Sequence, residues 1–209
     1  MKIKNGESIL FIGDSITDCN RSYSVGSGMG LGDGYVSFVD SLLATLHPEV
    51  NISVLNTGIS GHCITDLEAR WQRDVLDLSP DWLSVMIGIN DVWQQFNNQP
   101  NPNQTRLEQY KNIYRKLLKQ TRHDPKGLIL MSPYFIESDP SNLMRQHMDV
   151  YSRVVEELAD EFDALFVDTQ AAFNRYLAHR PAQSLSDDRI HPNRTGHMII
   201  SNAFLESIK

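Results

Sequence analysis

Short, wholly apolar runs alternate along the chain with longer stretches whose apolar residues recur every three or four positions. The first run, SILFIG at Ser8–Gly13, stops abruptly at Gly13-Asp14-Ser15. Tyr35, Phe38, Val39, Leu42, Leu43 and Leu46 then fall on one helical face. Runs at 51–56 (NISVLN), 82–87, 127–131 and 164–168 (ALFVD) read as further strands. Between them, residues 63–76 read as a helix, as does the stripe Leu107, Tyr110, Tyr114, Leu117 and Leu118. So does the stripe Met144, Met148, Tyr151, Val155, Leu158 and Phe162. A last helix follows Pro192 and runs to about Ile208.

A strand with one wet face alternates apolar and polar residues. A strand that is apolar throughout is covered on both faces. Five such strands separated by helices predict an α/β fold, with a five-stranded parallel sheet as the middle layer of a three-layer sandwich. No repeat, low-complexity tract or dividing linker interrupts the chain, so residues 1–209 are expected to form a single domain. Two polar stretches stand out. Residues 21–34 hold five of the twelve glycines, and 96–105 (FNNQPNPNQT) are rich in Asn, Gln and Pro. Both follow strands, on the carboxyl edge where open α/β sheets place their ligands.

Composition narrows the function more than the fold. A formal charge of −7 argues against nucleic acid or an anionic membrane as the main partner. Cys19 and Cys63 lack metal-ligand spacing and are expected to be free thiols. The apolar run near the start, Ile9–Ile12, is shorter than a signal peptide or a membrane span requires, so a soluble cytoplasmic protein is expected.

The chemistry gathers in four segments. Gly13-Asp14-Ser15 ends the first strand, and Gly58-Ile59-Ser60-Gly61 follows the second. Gly88-Ile89-Asn90-Asp91 follows the third, and Asp187-Asp188-Arg189-Ile190-His191-Pro192 precedes the last helix. At one sheet edge they would supply a hydroxyl, glycine N–H groups, a carboxamide and a carboxylate–imidazole pair. Acyl transfer needs those parts. Serine requires a base to take its proton, the base requires a carboxylate to orient it, and the oxyanion requires N–H donors. Pro192 keeps His191 out of helical dihedrals, which leaves a turn in which Asp188 can fold back onto the imidazole.

Taken singly, each piece has a plainer reading. Ser15-Ile16-Thr17-Asp18 matches a capping box, and Asp14 is an equally good helix cap. Asn90-Asp91 is ordinary turn chemistry, and Gly58 and Gly61 are ordinary turn glycines. Trp93 and Phe96 fit either packing or a pocket wall. His191, His197 and Asp188 together could hold a metal, but His197 lies five residues, about one and a half helical turns, past Pro192.

In order, GDSxTD, GxSG, GxND and DxxHP resemble the SGNH hydrolases, the GDSL esterase and lipase family. The resemblance spans nearly the whole chain. It implies a flavodoxin-like sandwich with five central parallel strands. It also implies a catalytic triad of Ser15, Asp188 and His191, with an oxyanion hole of Ser15, Gly61 and Asn90. Asp188 is favoured over the adjacent Asp187 by its spacing from His191. Asp14 and Trp93 are expected to contact substrate, and neither metal nor cofactor is implied. FIGDSITDCNR, GYVSFV, NTGISG, DLEARW, IGINDVW and FVDTQAAF further resemble intracellular bacterial acetylxylan esterases within that family. Such relatives carry an aromatic immediately before the triad aspartate, where this chain has Asp187.

The expected activity is therefore serine esterase chemistry on acetylated xylo-oligosaccharides, through an acetyl-enzyme. The nearest rival is a short-chain thioesterase or lysophospholipase with the same triad; a non-catalytic flavodoxin-like binding domain is the rival of another class. The polar loops favour a sugar over an acyl chain. Oligomers occur in such a family, and no residue here settles whether this chain forms a homo-oligomer.

Overall fold

The computed structural model describes residues 1–96, 105–121 and 125–209. Of the Asn/Gln-rich stretch 96–105, residues 97–104 therefore lie outside the described residues.

Strands β1 (Ser8–Gly13), β3 (Ser53–Asn56), β4 (Trp82–Met86), β5 (Gly127–Met131) and β6 (Leu165–Val167) pair in parallel, in the order β3-β1-β4-β5-β6. Register is continuous across the middle: Leu10 sits opposite Leu55 on one side and Leu83 on the other. Every residue of β4 is buried, as is all of β1 after Ser8, which is why these strands read as unbroken apolar runs.

The direction of each crossover fixes the layers. From β1 the chain steps outward to β3 through α2 (Tyr35–Leu46). It then returns past β1 through α3 (Ile64–Asp74), α5 (Leu107–Thr121) and α6 (Leu143–Glu161). Right-handed crossovers in opposite directions cover opposite faces. Accordingly α2 packs with the final helix α8 (Arg194–Ser207), while α5 packs with both α3 and α6. Phe11 of β1 meets Tyr35 and Phe204 on the first side. On the second, Tyr110 meets Tyr114 edge-on and Tyr151 at a tilt. Burying each such side chain contributes roughly 1.5–3 kcal/mol.

Among the described residues, the sheet has six strands rather than the expected five. The additional strand, β2 (Gly26–Ser27), runs antiparallel to β3 at the edge, with Gly26 opposite Asn56 and Ser27 opposite Leu55. Two residues inside a glycine-rich loop carry no apolar run to announce them. Three helices also escape the apolar periodicity because each is short and starts directly after a strand. They are α1 (Ser15–Asp18), α4 (Ile89–Trp93) and α7 (Thr169–Leu177).

The chain's neighbours reverse between β1 and β4: β3 lies on one side and β4 on the other. Open α/β sheets bind ligands at such a switch point, beyond the carboxyl ends of the strands. Ser15 follows β1 and Asn90 follows β4 at that place. Among the described residues, no helix is long and apolar enough to cross a membrane.

Candidate active site

Asp14, not Ser15, caps α1. Its Oδ1 accepts the Ile16 N–H at 3.0 Å, and the residue is only 1% exposed. Burial pushes its carboxyl up to about 7, against the opposing pull of the Ile16 N–H and of His191. With the cap supplied by its neighbour, the Ser15 hydroxyl lies 2.9 Å from His191 Nε2. His191 Nδ1 lies 2.6 Å from Asp188 Oδ2.

The turn before α8 is shaped to make that pair. Arg189 has a left-handed φ of 65°, which costs a non-glycine residue about 1–2 kcal/mol. That bend lets Asp188 Oδ1 accept from the N–H groups of Ile190 and His191 at 2.9 and 2.8 Å. Ser186 Oγ donates to the same oxygen at 2.9 Å. Arg189 is anchored by an ion pair to Glu137, and its carbonyl accepts the Ile136 N–H at 2.9 Å. Burial alone would raise the Asp188 carboxyl. The bonds from His191, Ile190 and Ser186 outweigh it and hold the group well below the usual carboxylate range. An ionised Asp188 only accepts, so Nδ1 carries the proton and a neutral ring offers its Nε2 lone pair to the Ser15 hydroxyl. A hydroxyl, imidazole and carboxylate joined in this order can pass a proton from the hydroxyl to the ring.

The glycine loop after β3 packs against α1. A Cβ on Gly58 would come within 2.4 Å of the Asp18 nitrogen, so only glycine fits. Gly61 differs: its φ of 82° favours glycine, while nothing lies within 4 Å of where a Cβ would stand. Its backbone is thus open on the side a substrate could approach. Asn90, 5% exposed, donates from Nδ2 to the His62 carbonyl at 3.0 Å, which joins α4 to the residue after Gly61. Among the described residues, its second amide hydrogen has no acceptor. Asp91 accepts the Ile64 N–H at 3.2 Å to each carboxylate oxygen, and burial pushes its carboxyl up to about 7. Trp93 closes α4 and is 38% exposed, three positions beyond Asn90.

Several supporting residues were not anticipated. Arg70, buried on α3, donates to the carbonyls of Thr57 at 2.5 Å and Gly13 at 3.0 Å. It also donates to Asp74 at 2.8 Å and to His62 Nδ1 at 3.1 Å. Burial and the Arg70 charge both lower the His62 pKa, which suits a neutral ring accepting at Nδ1. One guanidinium therefore holds the ends of β1 and β3 and the residue beside Gly61. The sequence signal was an Arg70–Asp74 pair, spaced one helical turn apart, beside the apolar stripe Ile64, Leu67 and Trp71. Asp18 is the second. Its Oδ2 accepts Ser60 N at 3.0 Å, Ser60 Oγ at 2.9 Å and the Tyr23 hydroxyl at 2.6 Å.

His197 is turned elsewhere. Its Nδ1 accepts the Tyr35 N–H at 3.1 Å and its Nε2 lies 3.6 Å from Cys19 Sγ, so it caps α2, whose preceding Gly34 has no side chain. Burial, aided by the nearby His191, pushes its pKa down to about 4. Both cysteines are free thiols. Among the described residues, no group of three His, Cys, Asp or Glu side chains is placed to hold a metal.

Residues 11–199 match the GDSL-like lipase/acylhydrolase family. The acetylxylan esterase of Geobacillus stearothermophilus is 48% identical over 211 residues, covering 100% of this chain and 96% of the relative. Its crystal structure matches with a TM-score of 0.97 over the same shares of the two chains. An alpha/beta hydrolase from the metagenome of Lake Arreo, Spain, is 40% identical with a TM-score of 0.97, covering 100% of this chain and 97% of that one. Structures of the Geobacillus esterase include catalytic mutants with alanine in place of a serine, an aspartate and a histidine three residues further on. Another replaces the tryptophan directly before that aspartate, the place Asp187 holds relative to Asp188 here. By motif, fold and full-length likeness, the chain belongs to the GDSL-like lipase/acylhydrolase family.

Proposed function

We propose that this chain is a serine esterase that removes acetyl groups from acetylated xylo-oligosaccharides, with residues 1–209 acting as one hydrolase domain. The observation that carries the mechanism is the continuous chain Ser15–His191–Asp188, at 2.9 and 2.6 Å. The substrate class rests on the likeness to the Geobacillus acetylxylan esterase, at 48% identity over the full chain.

In this reading Ser15 Oγ attacks the acetyl carbonyl carbon as its proton moves to His191 Nε2. Asp188 holds the resulting imidazolium and fixes its orientation. The carbonyl oxygen, now an anion, is met by the N–H groups of Ser15 and Gly61 and by the free amide hydrogen of Asn90. The C–O bond to the sugar then breaks. The leaving sugar oxygen takes the proton from His191, and acetyl stays on Ser15. Water repeats the sequence: His191 takes its proton, its oxygen attacks the acetyl carbon, and acetate departs as Ser15 regains its hydrogen. Asp14 serves by capping α1 rather than by touching substrate, because its carboxylate is buried against Ile16.

The test is acetate release from acetylated xylo-oligosaccharides, beside acetylated manno-oligosaccharides, a short acyl thioester and a lysophospholipid. The xylan-derived ester should lead. A leading thioester or lysophospholipid would leave the triad intact and remove the sugar.

A further inference from the structure

We infer that Tyr23 forms an aromatic floor on which a pyranose ring of the oligosaccharide stacks beside the scissile acetyl ester; this rests on the esterase reading above. Tyr23 lies in the glycine-rich loop between α1 and α2, and it is 64% exposed. A single exposed aromatic is unremarkable in itself. What sets this one apart is how firmly it is held. Its hydroxyl donates to Asp18 Oδ2 at 2.6 Å. The Arg21 guanidinium carbon stands 4.1 Å from the ring centroid and covers one face.

Arg21 is itself a buried base, 4% exposed. Its Nε donates to the Gly58 carbonyl at 2.6 Å, and one terminal nitrogen donates to the carbonyls of Ser22 and Ser24 at 3.0 and 2.8 Å. The ring is thus fixed at its tip and at one face, and its exposed area belongs to the other face. A side chain already ordered before binding loses little entropy when a ligand arrives.

Its place is as telling as its rigidity. The Asp18 oxygen that holds the Tyr23 hydroxyl also holds the backbone and side chain of Ser60, the residue before Gly61. One carboxylate oxygen therefore links the ring to the loop proposed to bind the oxyanion. The chemistry of a xylose unit fits such a floor. One face of a pyranose presents C–H groups, weakly positive and apolar, which suit the negative face of an aromatic ring. Xylose lacks a hydroxymethyl arm that would hold the ring off. The hydroxyl groups around its edge would stay among the polar groups of the surrounding loop. An acyl chain would gain little from one ring set in a rim of Asp18, Ser22, Ser24 and Ser60.

Steady-state kinetics of wild type, Tyr23→Ala and Tyr23→Trp on acetylated xylotriose and on ethyl acetate, which has no ring, test this. Tyr23→Ala should lower kcat/KM for the xylotriose ester about tenfold more than for ethyl acetate, chiefly through KM. Tyr23→Trp should restore it. Equal losses on both esters would overturn the stacking role and make Tyr23 a prop for the Ser60 loop. A sugar preference that survives in Tyr23→Ala would overturn it too. The wild type separates this failure from that of the esterase reading: if it shows no preference for the sugar ester over ethyl acetate, the reading itself falls.

Discussion

Ser15 stands on a turn whose polar neighbours are buried, whereas Asp188 and His191 stand on one open to solvent. Asp14, Asp18, Arg70, Asn90 and Asp91 are all buried around the first turn, each tied to backbone. The side chains of Asp188 and His191 remain 49% and 48% exposed. The difference matches what each half is proposed to do. Oxyanion donors work by being fixed before charge develops, and a buried frame fixes them. The imidazole must hand a proton to a departing sugar and take one from water, so it needs access. Stability should therefore be concentrated under Ser15, and the turn of Asp188 and His191 should tolerate change.

The largest expected effect lies on the open half. Asp188→Asn should lower kcat by about 10⁴-fold, because the amide no longer holds the right His191 tautomer. Its melting temperature should fall only modestly, because the amide keeps an oxygen for the Ile190 and His191 N–H groups. Asp187→Asn should do neither, and initial rates of the two variants beside thermal unfolding would check both statements. On the buried half, Asn90→Ala should lower kcat by roughly 10²–10³-fold with little change in KM, since the lost bond forms only in the transition state.

Arg70→Met should break the comparison most visibly. It strands the Thr57 carbonyl and takes a buried partner from Asp74, and should cost about 3–5 kcal/mol of stability. Denaturant unfolding would show that loss, and His191→Ala would show almost none. Equal losses in the two variants would mean that the buried frame is not where stability resides.

In pH dependence the halves should respond in opposite senses. Burial raises Asp14 and Asp91 to about 7, above the value of about 4 of an unfolded carboxyl. The folded state then keeps protons that the unfolded state has released. Their contribution is full below the unfolded pKa and is lost as pH rises towards 7. Asp188, held below the usual range, contributes above the unfolded pKa and loses that only in strong acid. Asp91→Asn keeps an oxygen for the Ile64 N–H but does not titrate. Its melting temperature should gain on that of wild type between pH 5 and 8; parallel curves would contradict the buried-carboxylate account.

What the sequence could show follows the same division. Continuous apolar runs report burial on both faces, so β1, β4 and β5 were legible to within a residue or so. The four-motif order was enough to place Ser15, Asn90, Asp188 and His191 at one edge. What stayed hidden depended on contacts between distant segments. Nothing local tells that Asp14 rather than Ser15 takes the cap, because both are good caps; the choice is made by His191, 176 positions away from Ser15. Nothing local tells that Arg70 reaches Gly13, or that Asp18 serves both Ser60 and Tyr23. Strand β2 is likewise defined by its pairing with β3 rather than by its own two residues.

The most direct test of the central claim is rapid-quench mass spectrometry of the enzyme during turnover of an acetyl ester. An acetyl group should appear on the proteolytic fragment that carries Ser15 and should be missing in Ser15→Ala. Acetyl on another residue, or steady turnover by Ser15→Ala at the wild-type rate, would contradict the account.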